Sequence, residues 1–359
     1  MRSSVVRAAL CAAAVAHAAE ACAPGVDLHD DDGSVEPPAS SLGVATSRAS
    51  QHGWEAVRLN DFNFDGMGDI LWNDTEQNLI AIWLMEGDQL LAPGPFLPGP
   101  IGQGWAAVNA GDFNFDGMAD VIWLNAEQNL VTIWLMEGSH LLAAGPVLPG
   151  PLGDGWLVKS VTDFNLDGMT DVLWNNPEQN LITVWLMDGS HLLAPGAFIP
   201  GPVGEGWTAP TAQDVNFDNM GDVFWNNVEQ NLMAVWLMEG TELLVPGPVL
   251  PGPLGPGWRI VTSEDFNFDS MGDVLWNSPE QNLMAVWLME GTHLLAPGPA
   301  IPGPLGPGWE ARPGTDVSFD GLGDVLWYAT GTNQAAVWLM EGTHLLAPGP
   351  VILGPYDPD

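Results

Sequence analysis

Asp61-Phe62-Asn63-Phe64-Asp65-Gly66-Met67-Gly68-Asp69-Ile70-Leu71-Trp72 is the stretch that decides how this chain is read. Side-chain oxygens recur at loop positions 1, 3 and 5, Gly stands at 6, and another Asp stands at 9. The loop then runs into Ile70-Leu71-Trp72, an apolar run that reads as a buried strand. The same words return at Asp112, Asp163, Asp214, Asp265 and Asp316, each 51 residues after the last. Gly-Trp pairs ending at Trp54, Trp105, Trp156, Trp207, Trp258 and Trp309 keep that interval without insertion or deletion. All 18 Trp fall on this lattice. So strict a period identifies a repeat architecture.

Inside one copy the pattern is that of strands. Trp54 to Leu59 reads as a first strand and Asp69 to Trp72 as a second. Asn78 to Met85 reads as a third, apolar on both faces and therefore covered on both. Glu86-Gly87 makes a tight turn. A fourth strand starts at Gln89 and runs into Pro93-Gly94-Pro95 and Pro98-Gly99-Pro100, whose prolines place it at an edge. Four short strands in a unit of this length, packed on both faces, describe a propeller blade. The expected fold is all-β: a closed ring of six four-stranded blades over residues 51–359, with copies starting near 53, 104, 155, 206, 257 and 308. A solenoid would need polar caps at its ends, and here the first and last copies are as apolar as the others. Whether the Gly-Trp strand opens its own blade or completes the preceding one is open; the second arrangement would lock the ring by pairing Trp54 to Leu59 with the last copy.

Composition sets the outer limits. The chain has 359 residues, 45 acidic and 7 basic, for a formal net charge of −38. That excludes a nucleic-acid binder working by phosphate neutralisation, and it disfavours anionic membranes. Apolar residues make up 46 %, so a large core can form. Gly and Pro number 43 and 31, which favours turns.

The first 21 residues read as a signal peptide of bacterial type: Arg2 and Arg7, an apolar run from Ala8 to Ala16, then small-x-small sites at Ala16-His17-Ala18 and Ala19-Glu20-Ala21. The run is too short to span a bilayer. The expectation is a secreted, extracellular protein with no transmembrane segment. After cleavage only Cys22 remains, so no intrachain disulfide can form. Cleavage just before Cys22 would leave an outer-surface lipoprotein anchored there; Glu20 and Ala19 fit that processing pattern poorly. Residues 22–50, with Asp30-Asp31-Asp32-Gly33 and Pro37-Pro38, read as an acidic Pro/Ser linker.

The acidic loop carries the chemistry. Hard cations take six to eight oxygens, and Ca2+ tolerates loose geometry better than Mg2+ does. In copy one Asp61, Asn63, Asp65, the Met67 carbonyl and Asp69 supply them. The equivalents are Asp112, Asn114, Asp116, Met118 and Asp120 in copy two, and Asp163, Asn165, Asp167, Met169 and Asp171 in copy three. Copy four has Asp214, Asn216, Asp218, Met220 and Asp222, and copy five has Asp265, Asn267, Asp269, Met271 and Asp273. Copy six has Asp316, Ser318, Asp320, Leu322 and Asp324. The expectation is up to six Ca2+, one per copy. Copies one to three should bind best, because copy four has Asn219 and copy five Ser270 in place of Gly, and copy six has the weaker ligand Ser318.

These residues resemble the FG-GAP/VCBS repeat family. The matching runs are Asp61 to Asp65, Asp69 to Trp72 and Ile82 to Met85, repeated across residues 53–356. The resemblance implies a calcium-binding β-propeller with loops like those of integrin α-subunit heads, and some propeller lectins are built from similar repeats. Seven blades are usual in that family and six copies are present here. Fold alone does not name a ligand.

Three features bear on the ligand. Trp72, Trp83 and their copies read as core between blades. The Gly-Trp residues Trp54, Trp105, Trp156, Trp207, Trp258 and Trp309 follow the Pro-Gly loop and are the better candidates to reach a surface and stack on a sugar, although a structural role weighs more. Glu76-Gln77-Asn78 and its copies read as a polar hairpin turn. His140, His191, His293 and His344 share one position on separate blades and do not obviously converge. No nucleophile–base pair stands out, so no catalytic residue is named and an extracellular enzyme ranks last. The leading expectation is a multivalent glycan-binding module; the alternative is protein–protein adhesion or a surface scaffold.

Overall fold

The computed structural model describes residues 53–255, 257–306 and 308–356. The leader, Cys11, Cys22 and the linker lie outside the described residues. The chain folds as a six-bladed β-propeller: six small antiparallel sheets set in a ring. Among the described residues there is no helix, and none long and apolar enough to cross a membrane.

The first blade holds β1 (Trp54–Asn60), β2 (Asp69–Asp74), β3 (Leu79–Glu86), β4 (Gln89–Pro93) and β5 (Leu97–Pro98). β1 pairs β2 from Trp54↔Asp74 to Asn60↔Asp69. The Gly-Trp strand therefore opens its own blade, and every blade is one contiguous copy. The ring is not locked by a shared strand.

Five sheets have five strands instead of the expected four. The Pro-Gly segment does not leave the sheet as a loop. β4 pairs one end of β3 and β5 the other, with Gly94 pressed against the backbone between them. A Cβ on Gly94 would lie 2.1 Å from the Ile82 carbonyl oxygen. In the last blade the same stretch is one continuous strand, His344–Leu353.

The core lies between the blades. Phe62, Leu71, Ile80 and Ile82 of the first blade pack with Trp105, Val121, Trp123 and Trp134 of the second. The seam between the last blade and the first has the same composition, with Val317, Leu326, Tyr328 and Ile352 against Trp54, Leu59, Ile70 and Trp72. Each blade contains a tilted or edge-on pair of Trp rings, such as Trp72 and Trp83 with centroids 5.4 Å apart. That geometry suits the ring quadrupoles.

Candidate metal loops and blade-junction grooves

The loop joining β1 to β2 is built by its own side chains. Asp61 accepts from the N–H of Asn63 (3.2 Å) and Gly66 (2.9 Å). Asn63 Oδ1 accepts from Asp65 N–H (3.1 Å), and its Nδ2 donates to Asp65 Oδ2 (2.9 Å). Asp65 Oδ1 accepts from Met67 N–H (2.9 Å). Alternate side chains thus turn inward over one tight coil, which a short polar side chain does by bonding the backbone two residues on. Copies two to five repeat the carboxamide-to-carboxylate link at 2.8–2.9 Å. In copy six Ser318 cannot make it.

Asp69 stands apart. It is fully buried, and its two oxygens accept from Phe62 N–H (3.1 Å) and Met85 N–H (2.8 Å). Burial pushes its carboxyl up to about 7, the two N–H donors oppose that rise, and Asp65 and Asp61 add to it. Asp120, Asp171, Asp222, Asp273 and Asp324 sit in the same environment and are likewise raised to about 7. A carboxylate within electrostatic reach of two others is the donor set a cation relieves. Among the described residues, no group of three or more His, Cys, Asp or Glu side chains is drawn together as a metal cluster. The residues that could hold a hard cation are therefore a mixed set: two loop carboxylates, the Asn63 carboxamide, the Met67 carbonyl and Asp69.

Position 6 has positive φ in every copy: 83° at Gly66, 62° at Asn219 and 64° at Ser270. Position 4 does too, which the sequence did not announce. Phe64, Phe115, Phe217, Phe268 and Phe319 have φ of 60–64°, and Leu166 has 64°. A bulky residue is rarely found there. These side chains are 54–72 % exposed, and several lie on the next loop. The Phe64 ring covers Gly117, Phe115 covers Gly168, Phe268 covers Gly321 and Phe319 covers Gly66. The only legible signal was an apolar residue inside a polar loop.

The six loops are also chained. The N–H of Ala119, Thr170, Gly221, Gly272 and Gly323 each donates to the carbonyl of the Asp that opens the preceding loop, and Gly68 N–H closes the circuit on Asp316 at 2.8 Å.

The Gly-Trp residues are not surface platforms. Trp54, Trp105, Trp156, Trp207, Trp258 and Trp309 are only 1–5 % exposed, which corrects the idea that they reach solvent. They fill the base of the Pro-Gly loop before them: Trp156 Nε1 donates to the Leu152 carbonyl and Trp258 Nε1 to that of Leu254. Asn78 of the hairpin turn has φ of 54° and donates to the Pro100 carbonyl, a bond repeated in every copy, so it is committed to structure. His140, His191 and His293 each sit beside the hydroxyl of the preceding Ser or Thr, one per blade, and form no cluster.

One of the Gly-Trp residues, Trp258, borders a groove at the blade junction. Between the fourth and fifth blades it is about 510 Å³, walled by Pro253 and Leu254 on one side and Trp287, Leu294 and Pro297 on the other. Between the first and second blades a groove of about 280 Å³ is walled by the equivalent residues: Pro100, Ile101, Thr132, Trp134 and Ala144. The lip residues Ile101, Leu152, Val203, Leu254 and Leu305 are 86–103 % exposed.

Residues 61–123 and 163–225 match the family described as FG-GAP-like repeat. These two stretches are similar to FG-GAP-like repeats. Each matched stretch runs from the first acidic loop of one copy to the second-strand Trp of the next, so the FG-GAP-like match falls on the loops and strands described above. No curated protein matches the sequence. Among solved structures, a protein from Lactobacillus plantarum is 14 % identical, with 84 % of this chain and 86 % of that one covered and a TM-score of 0.52. AofleA from Arthrobotrys oligospora is 13 % identical over 85 % of this chain and 92 % of that one, with a TM-score of 0.50. Virginiamycin B lyase from Staphylococcus aureus is 11 % identical over 83 % and 84 %, at 0.49. At such identities the likeness to the first two shows the fold alone.

Proposed function

We propose that this FG-GAP-like propeller is a secreted binding module, steadied by calcium, that offers the same groove at successive blade junctions to a glycan. The observation that carries this reading is the recurrence of one groove, with equivalent walls, three blades apart. Weak equal sites on a rigid ring gain avidity on a repetitive ligand. A sugar has an apolar face on which aromatic and aliphatic side chains can stack; the groove has Trp, Pro and Leu along its walls. Calcium would be held by the loop carboxylates, the Asn carboxamide and the position 7 carbonyl. Its contribution there is charge neutralisation within a ring of acidic loops. The fully exposed lip residues favour a second reading, adhesion to a protein, because apolar side chains standing free in solvent suit a protein interface.

A glycan array probed with the mature protein tests this, once in millimolar calcium and once in chelator, with circular dichroism to show that the chain is folded. Selective binding in calcium that is lost in chelator, and weakened by Trp287→Ala, is the expected result. A folded protein that binds no glycan in calcium would overturn the glycan reading and leave protein adhesion.

A further inference from the structure

The described residues contain four Lys and Arg side chains, and all four belong to the first strands of blades, which line the axis of the ring. Two are neutralised. Arg259 pairs with Glu310 at 2.9 Å, and Arg312 lies over the Tyr328 ring, 4.0 Å from Glu55 and from Glu310. The other two, Arg58 and Lys159, have no carboxylate at ion-pair distance among the described residues. Arg58 donates to the Asn109 carboxamide and to the Leu59 carbonyl. No described acceptor takes the Lys159 ammonium. Burial lowers the pKa of both groups, with Glu264 opposing the fall at Arg58.

Arg58 and Lys159 line one axial cavity of about 40 Å³ with Asn109, Thr211, Thr262 and Glu264. A β-bulge built into five of the six first strands makes this possible. It sets two residues against one on the partner, at Val158/Ser160 for instance, and lets Lys159 and Ser160 share the same wall. Thr211 and Thr262 are each more than nine-tenths buried and line this cavity, and no described hydrogen bond uses their hydroxyls. The pocket therefore sets two basic side chains and two free hydroxyls against one carboxyl, Glu264. One water-sized occupant needs roughly 10–15 Å³, so the space suits a few atoms and is far too small for a sugar.

We propose that the axial cavity is a binding site for a small monovalent anion, of halide or carboxylate size, held by Arg58, Lys159 and the hydroxyls of Thr211 and Thr262. The rest of a protein with net charge −38 repels anions, so the axis is the place where one would be retained. The site is independent of the junction grooves and of what they bind.

Chloride NMR line widths of the protein in millimolar calcium test this. A saturable excess width is expected, displaced by formate or nitrate and untouched by gluconate, which does not fit. Displacement by formate stronger than by nitrate would mark the carboxylate group as the preferred occupant. Lys159→Met and, separately, Thr262→Val should weaken binding, the first by about tenfold or more, since a charged hydrogen bond is lost. Arg259→Gln, whose side chain is paired outside the cavity, should leave binding unchanged. The site is refuted if wild-type protein shows no saturable excess, or if the excess survives both Lys159→Met and Thr262→Val in folded protein.

Discussion

At the scale of single residues, the acidic loop is held by two devices that do not depend on each other. One is the left-handed residue at position 6. Gly66 has φ of 83°, and a Cβ there would lie 2.2 Å from Cε2 of Phe319. Gly66→Ala therefore combines a strained backbone with a clash at the seam of the ring. It should destabilise the protein by about 1–3 kcal/mol, read as a lower urea midpoint in calcium. The other device is the buried carboxylate at position 9. Asp69→Asn turns one acceptor into a donor facing a buried N–H, at a cost of about 1–3 kcal/mol. That loss should persist in excess chelator. A loss seen only in calcium would mean that Asp69 acts through the metal alone.

At the scale of the element, copies four and five keep the loop geometry of the first three, and copy six departs from it at position 3. Ser270 keeps φ of 64° and still donates its N–H to Asp265 at 2.8 Å, so copy five forms the same loop under strain. Ser270→Gly should stabilise it by about 0.5–1 kcal/mol, checked by urea unfolding, because Gly visits that region freely and gives back part of the gain as unfolded-chain entropy. Copy six lacks the carboxamide link. Ser318→Asn should restore it and raise the number of calcium ions bound per chain, measured by calorimetric titration of chelator-treated protein; an unchanged stoichiometry would count against position 3 as a ligand.

At the scale of the molecule, closure is achieved by side-by-side packing. The last blade meets the first through Tyr328 Oη donating to the Trp54 carbonyl (2.9 Å), Leu59 N–H to Pro313 (3.0 Å), Gly68 N–H to Asp316 (2.8 Å), and the Phe319 ring on Gly66. Because no strand crosses between copies, a circular permutant that begins at residue 104, with a flexible linker joining the old ends, keeps every sheet whole. It should fold, with a Tm within several degrees of the parent in calcium. A permutant that fails to fold would show that the first-to-last seam depends on chain order. Tyr328→Phe removes one buried hydrogen bond at that seam and should cost about 1 kcal/mol, seen in the urea midpoint.

The sequence by itself determined the number of blades, the first three strands within each, the position of the loops and the left-handed residue at their centre. These follow from local patterning repeated at a fixed interval, which needs no knowledge of what lies across the ring. Four things waited for the tertiary structure. The Gly-Trp strand opens its own blade, a matter of pairing energy between strands that periodicity cannot express. The Gly-Trp side chains are sealed beneath the preceding Pro-Gly loop, because the preceding blade supplies the missing wall. The left-handed Phe at position 4 is explained only by the neighbouring loop on which it rests. Arg58 and Lys159 lie 101 residues apart in the chain and read there as isolated charges; only the convergence of the first strands on one axis makes them neighbours.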